Sequence, residues 1–273
     1  MQNTPLASVI VRAKDKADTI ERTLVQLRRQ TVAVEIVMVD SGSTDGTLEI
    51  ARRYCDQLIE IRPEQFSYGR ALNIGAERAA APIHFALSAH CAPDRQDWVE
   101  RSLAHYERPD VAATSGYDNL APGGRAPTVI YQDRAMLQAD PYWGFSNHAG
   151  SWRANLWERY PFAERLGSSE DREWSWRVLE KGWVIAMDPA LGVPTPHRVA
   201  EGYRAWYERH RREARDIATF AALAPYTAGD ALLEWWDVSE RRRRFGVRAR
   251  ISPRRLVAAV AKYQGVRDSA RSR

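Results

Sequence analysis

Residue types able to do chemistry fall at five places in this chain. Ser88-Ala89-His90 directly follows an apolar run, where an imidazole is placed to ligate a divalent cation carried on a diphosphate. His197, in Pro194-Thr195-Pro196-His197, lies in a polar stretch about a hundred residues on, and two imidazoles can share one ion. Taken singly, either histidine serves as well as a hydrogen-bonded structural residue. Glu170 and Asp171 follow Ser168-Ser169. Acids there head a helix for dipole reasons, and a carboxylate so placed is also a general base for an attacking hydroxyl. The spacing permits both roles. Asp40 closes another apolar run, too early to cap the helix beyond it, so it is read as an acceptor for a base N–H or a ribose hydroxyl. Arg70 and Asn73, in Phe66-Ser67-Tyr68-Gly69-Arg70-Ala71-Leu72-Asn73, come at the start of a helix, where positive charge and free N–H groups favour an anion. On spacing alone Arg70 is equally a surface arginine.

The elements that would position these residues alternate. ASVIVR over 7–12 is a β-branched strand, and Asp18 opens an amphipathic helix through Ile20, Leu24 and Leu27. EIVMVD over 35–40 is a second strand, followed by the turn SGSTDG and a helix over 47–54. Residues 58–61 make a third strand, 69–80 a helix, 83–87 a fourth strand, and 170–181 a helix stopped by Gly182. Repeated strand–helix units predict an α/β fold, a mostly parallel sheet flanked by helices that binds ligands at the carboxyl ends of its strands. Trp174, Trp176 and Trp183 read as core, His84 as core strand, and His105 as helix surface. A long helix over 203–223 and one or two more beyond it form a helical, basic C-terminal extension. The expected division is a catalytic domain over 1–200 and that extension over 201–273.

Composition excludes several classes. With 44% hydrophobic and 27% charged residues the 273-residue chain is ordinary for a globular protein, and no apolar run approaches the roughly 20 residues that span a bilayer. Met1–Ala7 lacks a basic-then-apolar signal, so the expectation is a cytoplasmic protein, with peripheral contact at the inner membrane face through its tail. Cys55 and Cys91 are too few for a disulfide framework and have no CxxC spacing. The net charge of +5 is concentrated in Arg241–Arg244, Arg248, Arg250, Arg254 and Arg255. That cluster is a solvated helical face or a dock for an anionic partner, and no nucleic-acid motif accompanies it.

Together, VIVRAKDKADTI, VDSGSTDGT, FSYGRALN, LSAHCAP and SSEDREW resemble the family 2 inverting glycosyltransferases of the GT-A fold, in particular bacterial rhamnosyltransferase-like members. The resemblance runs from Ser8 to about His197. It implies a nucleotide held by Arg12, Ala13, Lys14 and Asp40, with Arg70, Asn73 and Ser88 on the nucleotide-sugar, and a catalytic base at Asp171 beside Glu170. Many members carry an Asp-x-Asp metal motif where this chain has Ser88-Ala89-His90. The segment is similar instead to the Asp-x-His variant of polypeptide N-acetylgalactosaminyltransferases, which implies Mn2+ or Mg2+ on His90 and His197, with Ser88 in place of the remaining acid. Arg70 and Arg198 are the alternative partners of the diphosphate. The implied reaction moves a sugar from a UDP-, dTDP- or GDP-linked donor to a hydroxyl of a carbohydrate or lipid-linked acceptor, with inversion, in bacterial polysaccharide or glycoconjugate synthesis. Residues 142–153 would form the acceptor side. The alternatives are a catalytically silent nucleotide-sugar-binding scaffold and a nucleotidyltransferase.

Overall fold

The computed structural model describes residues 5–117, 128–194, 201–221, 226–232 and 253–271. The chain forms two compact units: Met1–Leu166 with Glu170–Thr195, and Gly167–Ser169 with Pro196–Arg273.

In the first unit the strands are β1 (Ala7–Ala13), β2 (Val34–Asp40), β3 (Gln57–Glu60), β4 (Ile83–Ser88), β5 (Val111–Ser115), β6 (Ile130–Gln132), β7 (Ala149–Arg153) and β8 (Val184–Met187). The helices are α1 (Ile20–Arg28), α2 (Thr47–Ala51), α3 (Tyr68–Arg78), α4 (Trp98–Ala104), α5 (Arg134–Ala139), α6 (Ala154–Arg159) and α7 (Glu170–Leu179). The strands join one sheet in the order β3-β2-β1-β4-β7-β5-β8-β6. Every residue of β1 is buried, as expected of a central strand covered on both faces. Its alternate side chains sort into two cores: Val9 and Val11 meet Leu24 and Leu27 of α1, and Ile10 meets Leu72 and Ala76 of α3.

The sheet is more mixed than repeated strand–helix units predict. β3, β2, β1 and β4 are parallel, but β7 enters antiparallel between β4 and β5, and β6 lies antiparallel to β8. This reversal positions the site. Because β7 opposes β4, Leu87 pairs with Ala149, and the chain entering β7 arrives at the carboxyl end of β4. Helix bounds also shift. α3 starts at Tyr68 because the Ser67 hydroxyl accepts the Arg70 N–H at 3.1 Å, capping the helix. α2 ends at Ala51, where Arg53 and Tyr54 N–H turn to i−3 carbonyls.

In the second unit α8 (Tyr203–Phe220) packs on α9 (Pro253–Arg271), tied by Trp206 Nε1 donating to the Arg254 carbonyl at 3.0 Å and by an Arg211–Asp268 ion pair at 2.7 Å. No helix of the described residues is long and apolar enough to cross a membrane.

Candidate active site

Three adjacent strand ends build the site. Arg12 pairs in register with Ser88, and Ala13 with Asp40, so the carboxyl ends of β1, β2 and β4 lie side by side. They open a cavity of about 300 Å³ lined by Arg12, Ala13, Lys14, Lys16, Ser41, Ser88, Ala89 and His90, with Pro63, Phe66 and Tyr68 as an apolar wall. The lining carries two lysines, an arginine and a histidine, and no acid. Phe66 and Tyr68 meet edge to face at 5.2 Å and remain 37% and 41% exposed, a surface on which a ring can stack.

The turns after β1 and β2 are stitched together. Asp15 N–H donates to Ser43 Oγ at 2.8 Å, Asp15 Oδ1 accepts Thr44 N–H at 2.9 Å, and Lys16 N–H donates to Thr47 Oγ1 at 2.7 Å. Asp45 accepts from Thr47 and from Ala17 N–H, bonds that hold its carboxyl below the usual carboxylate range. These bonds fix the backbone that carries Lys14 and Lys16.

Asp40 is fully buried and faces its own turn. Its Oδ1 accepts Gly42 N–H at 2.9 Å and Ser43 N–H at 2.8 Å, and its Oδ2 accepts the Ser43 hydroxyl at 2.5 Å. The neighbouring Ser41 faces the cavity instead. Gly42 has φ +88°, and a Cβ there would stand 2.9 Å from Pro63 Cγ, so the turn needs glycine.

Arg12 joins the cavity to the carboxylates. Only 8% exposed, its Nη2 donates to the Asn147 carbonyl at 2.6 Å and to Asn147 Oδ1 at 3.1 Å, and its Nη1 lies 3.9 Å from Glu170 Oε1. Burial pulls its pKa below the usual guanidinium value, and Glu170 opposes that pull. Glu170, 1% exposed, also accepts from Asn147 Nδ2. Asp171 is partly exposed; its Oδ2 accepts Asn147 N–H at 3.1 Å and its Oδ1 accepts Arg172 N–H at 2.8 Å. Neither acid lines the cavity.

Other expected residues lie elsewhere. Asn73 is buried, with its amide donating to the Phe162 carbonyl and Glu164 and accepting from Trp157 Nε1 and Phe162 N–H. Both ends of that amide hold the structure. Arg70 pairs with Glu164 at 3.7 Å. His105, expected on a helix surface, pairs with Asp188 at 3.0 Å and has a side chain only 12% exposed, because Asp188 follows β8 over it. His197 and Arg198 lie outside the described residues. Among the described residues no three His, Cys, Asp or Glu side chains group to hold a metal ion, and Ser88 offers only a hydroxyl beside His90, so these residues alone do not fit a divalent metal site. Sequence reading assigned no role to Lys16, Ser41, Pro63, Phe66, Tyr68 and Asn147, although all but Pro63 sit within segments it had singled out.

Residues 8–154 match the family described as Glycosyl transferase family 2, just over half the chain. The chain belongs to this family. The family 2 chain is 30% identical over 196 residues to the glycosyltransferase AglE of Haloferax volcanii, a match covering 66% of this chain and 64% of that one. It is 39% identical over 132 residues to a validoxylamine A glucosyltransferase of Streptomyces hygroscopicus subsp. jinggangensis, covering 44% of this chain and 31% of that one. It thus spans less than two thirds of either relative. In fold, α/β and of the GT-A kind, it is similar to the mannosyltransferase PcManGT from Pyrobaculum calidifontis, solved in complex with GDP-Man and Mn2+, at TM-score 0.62 and 18% identity, covering 99% of this chain and 74% of that one.

Proposed function

We propose that this family 2 chain transfers a sugar from a nucleotide-sugar to an acceptor hydroxyl by a single, inverting displacement, in bacterial polysaccharide or glycoconjugate synthesis. The observation that carries the reading is the double engagement of Arg12, which lines a cationic cavity and is bonded to the residue that also holds Glu170 and Asp171. Donor and base then sit at one place.

The nucleoside diphosphate enters along Arg12, Ala13, Lys14 and Ser88. The base packs against Pro63 and Phe66, and Lys14 and Lys16 meet the phosphates; charge of this sign draws an anion in and stabilises the leaving group. Asp40 shapes the turn behind the nucleotide. Asp171 takes the proton of the acceptor hydroxyl, whose oxygen attacks the anomeric carbon as the carbon–oxygen bond to the diphosphate breaks. Residues 142–153 face the acceptor, and the domain division is catalytic over 1–200 with a helical extension over 201–273, whose basic tail meets a lipid-linked acceptor at the membrane surface. The sugar is a hexose. Mn2+ or Mg2+ on His90 and His197 is what the resemblance implies, but the described residues do not complete that site, and no step above passes through a metal.

Thermal-shift titration with UDP, GDP and dTDP, with Mn2+ or with EDTA, tests the donor reading. One nucleotide class should stabilise the protein, and EDTA should weaken its binding by less than about tenfold, since lysines neutralise the phosphates. Loss of all binding in EDTA would assign the phosphates to a metal instead. No stabilisation by any nucleotide would contradict the donor site itself.

A further inference from the structure

We infer that Asn147 is the positioning residue that sets the catalytic carboxylate relative to the donor cavity, an inference that rests on the reading of Asp171 as the base. All four polar groups of Asn147 go to three charged residues, Arg12, Glu170 and Asp171. Its backbone N–H donates to Asp171 Oδ2 at 3.1 Å, its carbonyl accepts Arg12 Nη2 at 2.6 Å, its Oδ1 accepts the same nitrogen at 3.1 Å, and its Nδ2 donates to Glu170. Only an amide of this length offers both an acceptor to Arg12 and a donor to Glu170; aspartate lacks the donor and leucine lacks both.

The segment around it is anchored on both sides. Phe145 is fully buried against Trp152 and Trp174, and its carbonyl accepts from Arg172. Ser146 N–H donates to Ser115 Oγ at 3.2 Å, and the His148 carbonyl accepts Ser88 N–H at 3.0 Å. Asn147 is thus held by neighbours tied to β4, β5 and α7, and it transmits that placement to Asp171. Glu170 neutralises Arg12 from the buried side, which leaves the partly exposed Asp171 to face an acceptor. Losing the Asn147 side chain removes the bonds of its Oδ1 to Arg12 and of its Nδ2 to Glu170, which leaves only backbone bonds to orient Asp171 against them, and displacements of about 1 Å in a base are enough to slow proton transfer a hundredfold.

A double-mutant cycle tests this. Nucleoside diphosphate release is followed from UDP-glucose, GDP-mannose and dTDP-rhamnose, on whichever the wild type turns over fastest. Asn147→Ala should lower kcat by about tenfold or more with donor KM within about threefold, and the same change in an Asp171→Asn background should cost less than about twofold more. An intact kcat in Asn147→Ala, or an equal further loss in the Asp171→Asn background, overturns the positioning role and leaves Asp171 as the base. A wild-type kcat in Asp171→Asn overturns the base reading and this inference with it. Independently of turnover, crystals of Asn147→Ser should show the Asp171 carboxylate displaced by about 1 Å or more relative to Arg12; an unmoved carboxylate overturns the proposal.

Discussion

Glu170 and Asp171 are adjacent in sequence yet sit in different surroundings, and the surroundings separate their roles. Glu170 is buried beside Arg12, so removing it leaves an uncompensated charge in the interior. Glu170→Ala is expected to lower stability by about 3 kcal/mol, measured by urea unfolding, through loss of that pairing. His84 shows the opposite situation, a titratable ring in an apolar setting. It is 2% exposed, flanked by Trp152 and Trp157 at 6.0 and 6.1 Å, and burial pushes its pKa down to about 4. The unfolded chain therefore binds a proton on this histidine between about pH 6.5 and 4 that the folded chain does not. Its contribution is complete above pH 6.5 and is lost as pH falls toward 4, at about 1.4 kcal/mol per unit. His84→Leu should flatten the loss of melting temperature between pH 7 and 4.5; an unchanged slope would place the acid sensitivity elsewhere.

Elements decide which of these residues can meet. β1, β2 and β4 are legible because runs such as SVIVR and EIVMVD are apolar, β-branched and bounded by turn residues, which puts the chemistry at strand ends; that these three ends are neighbours is set by the pairing of β1 with both β2 and β4. β7 was not legible. Its AGSWR has weak strand character and becomes a strand because β4 and β5 flank it. With β7 unread, the arrival of Asn147 at Arg12 could not be foreseen. Asp40 and Asn73 mark a second limit: local pattern names an acid at a strand end or an amide in a helix, but only the folded chain shows that its own turn occupies Asp40 and that Phe162, Glu164 and Trp157 occupy Asn73. The packing of α3 on β1 gives a test at this scale. A Cβ on Gly75 would stand 2.4 Å from Ile10 Cγ2. Gly75→Ala should lower stability by about 1–3 kcal/mol, read from the urea midpoint, as α3 is forced off the strand. No loss would mean the helix has room that its contact with Ile10 denies.

For the whole molecule, a sheet of eight strands among the described residues sets cations at the carboxyl ends of its interior strands and two acids beside them, and Arg12 belongs to both groups. The net charge of +5 is carried by the C-terminal arginines, so the attraction of an anion to the cavity rests on the local lining of Arg12, Lys14 and Lys16. The second unit contributes the paired helices α8 and α9 and the basic residues that give the chain its net positive charge. The central claim is that the cavity binds a nucleotide-sugar which Asp171 then activates an acceptor to attack. The most direct measurement is calorimetric titration of UDP-glucose, GDP-mannose and dTDP-rhamnose into wild type and Asp171→Asn, with nucleoside diphosphate release followed on the same samples. The expected result is one donor class bound with equal affinity by both proteins and turned over at least about a hundredfold faster by the wild type. Equal turnover by the two, or no donor bound by either, would contradict the account.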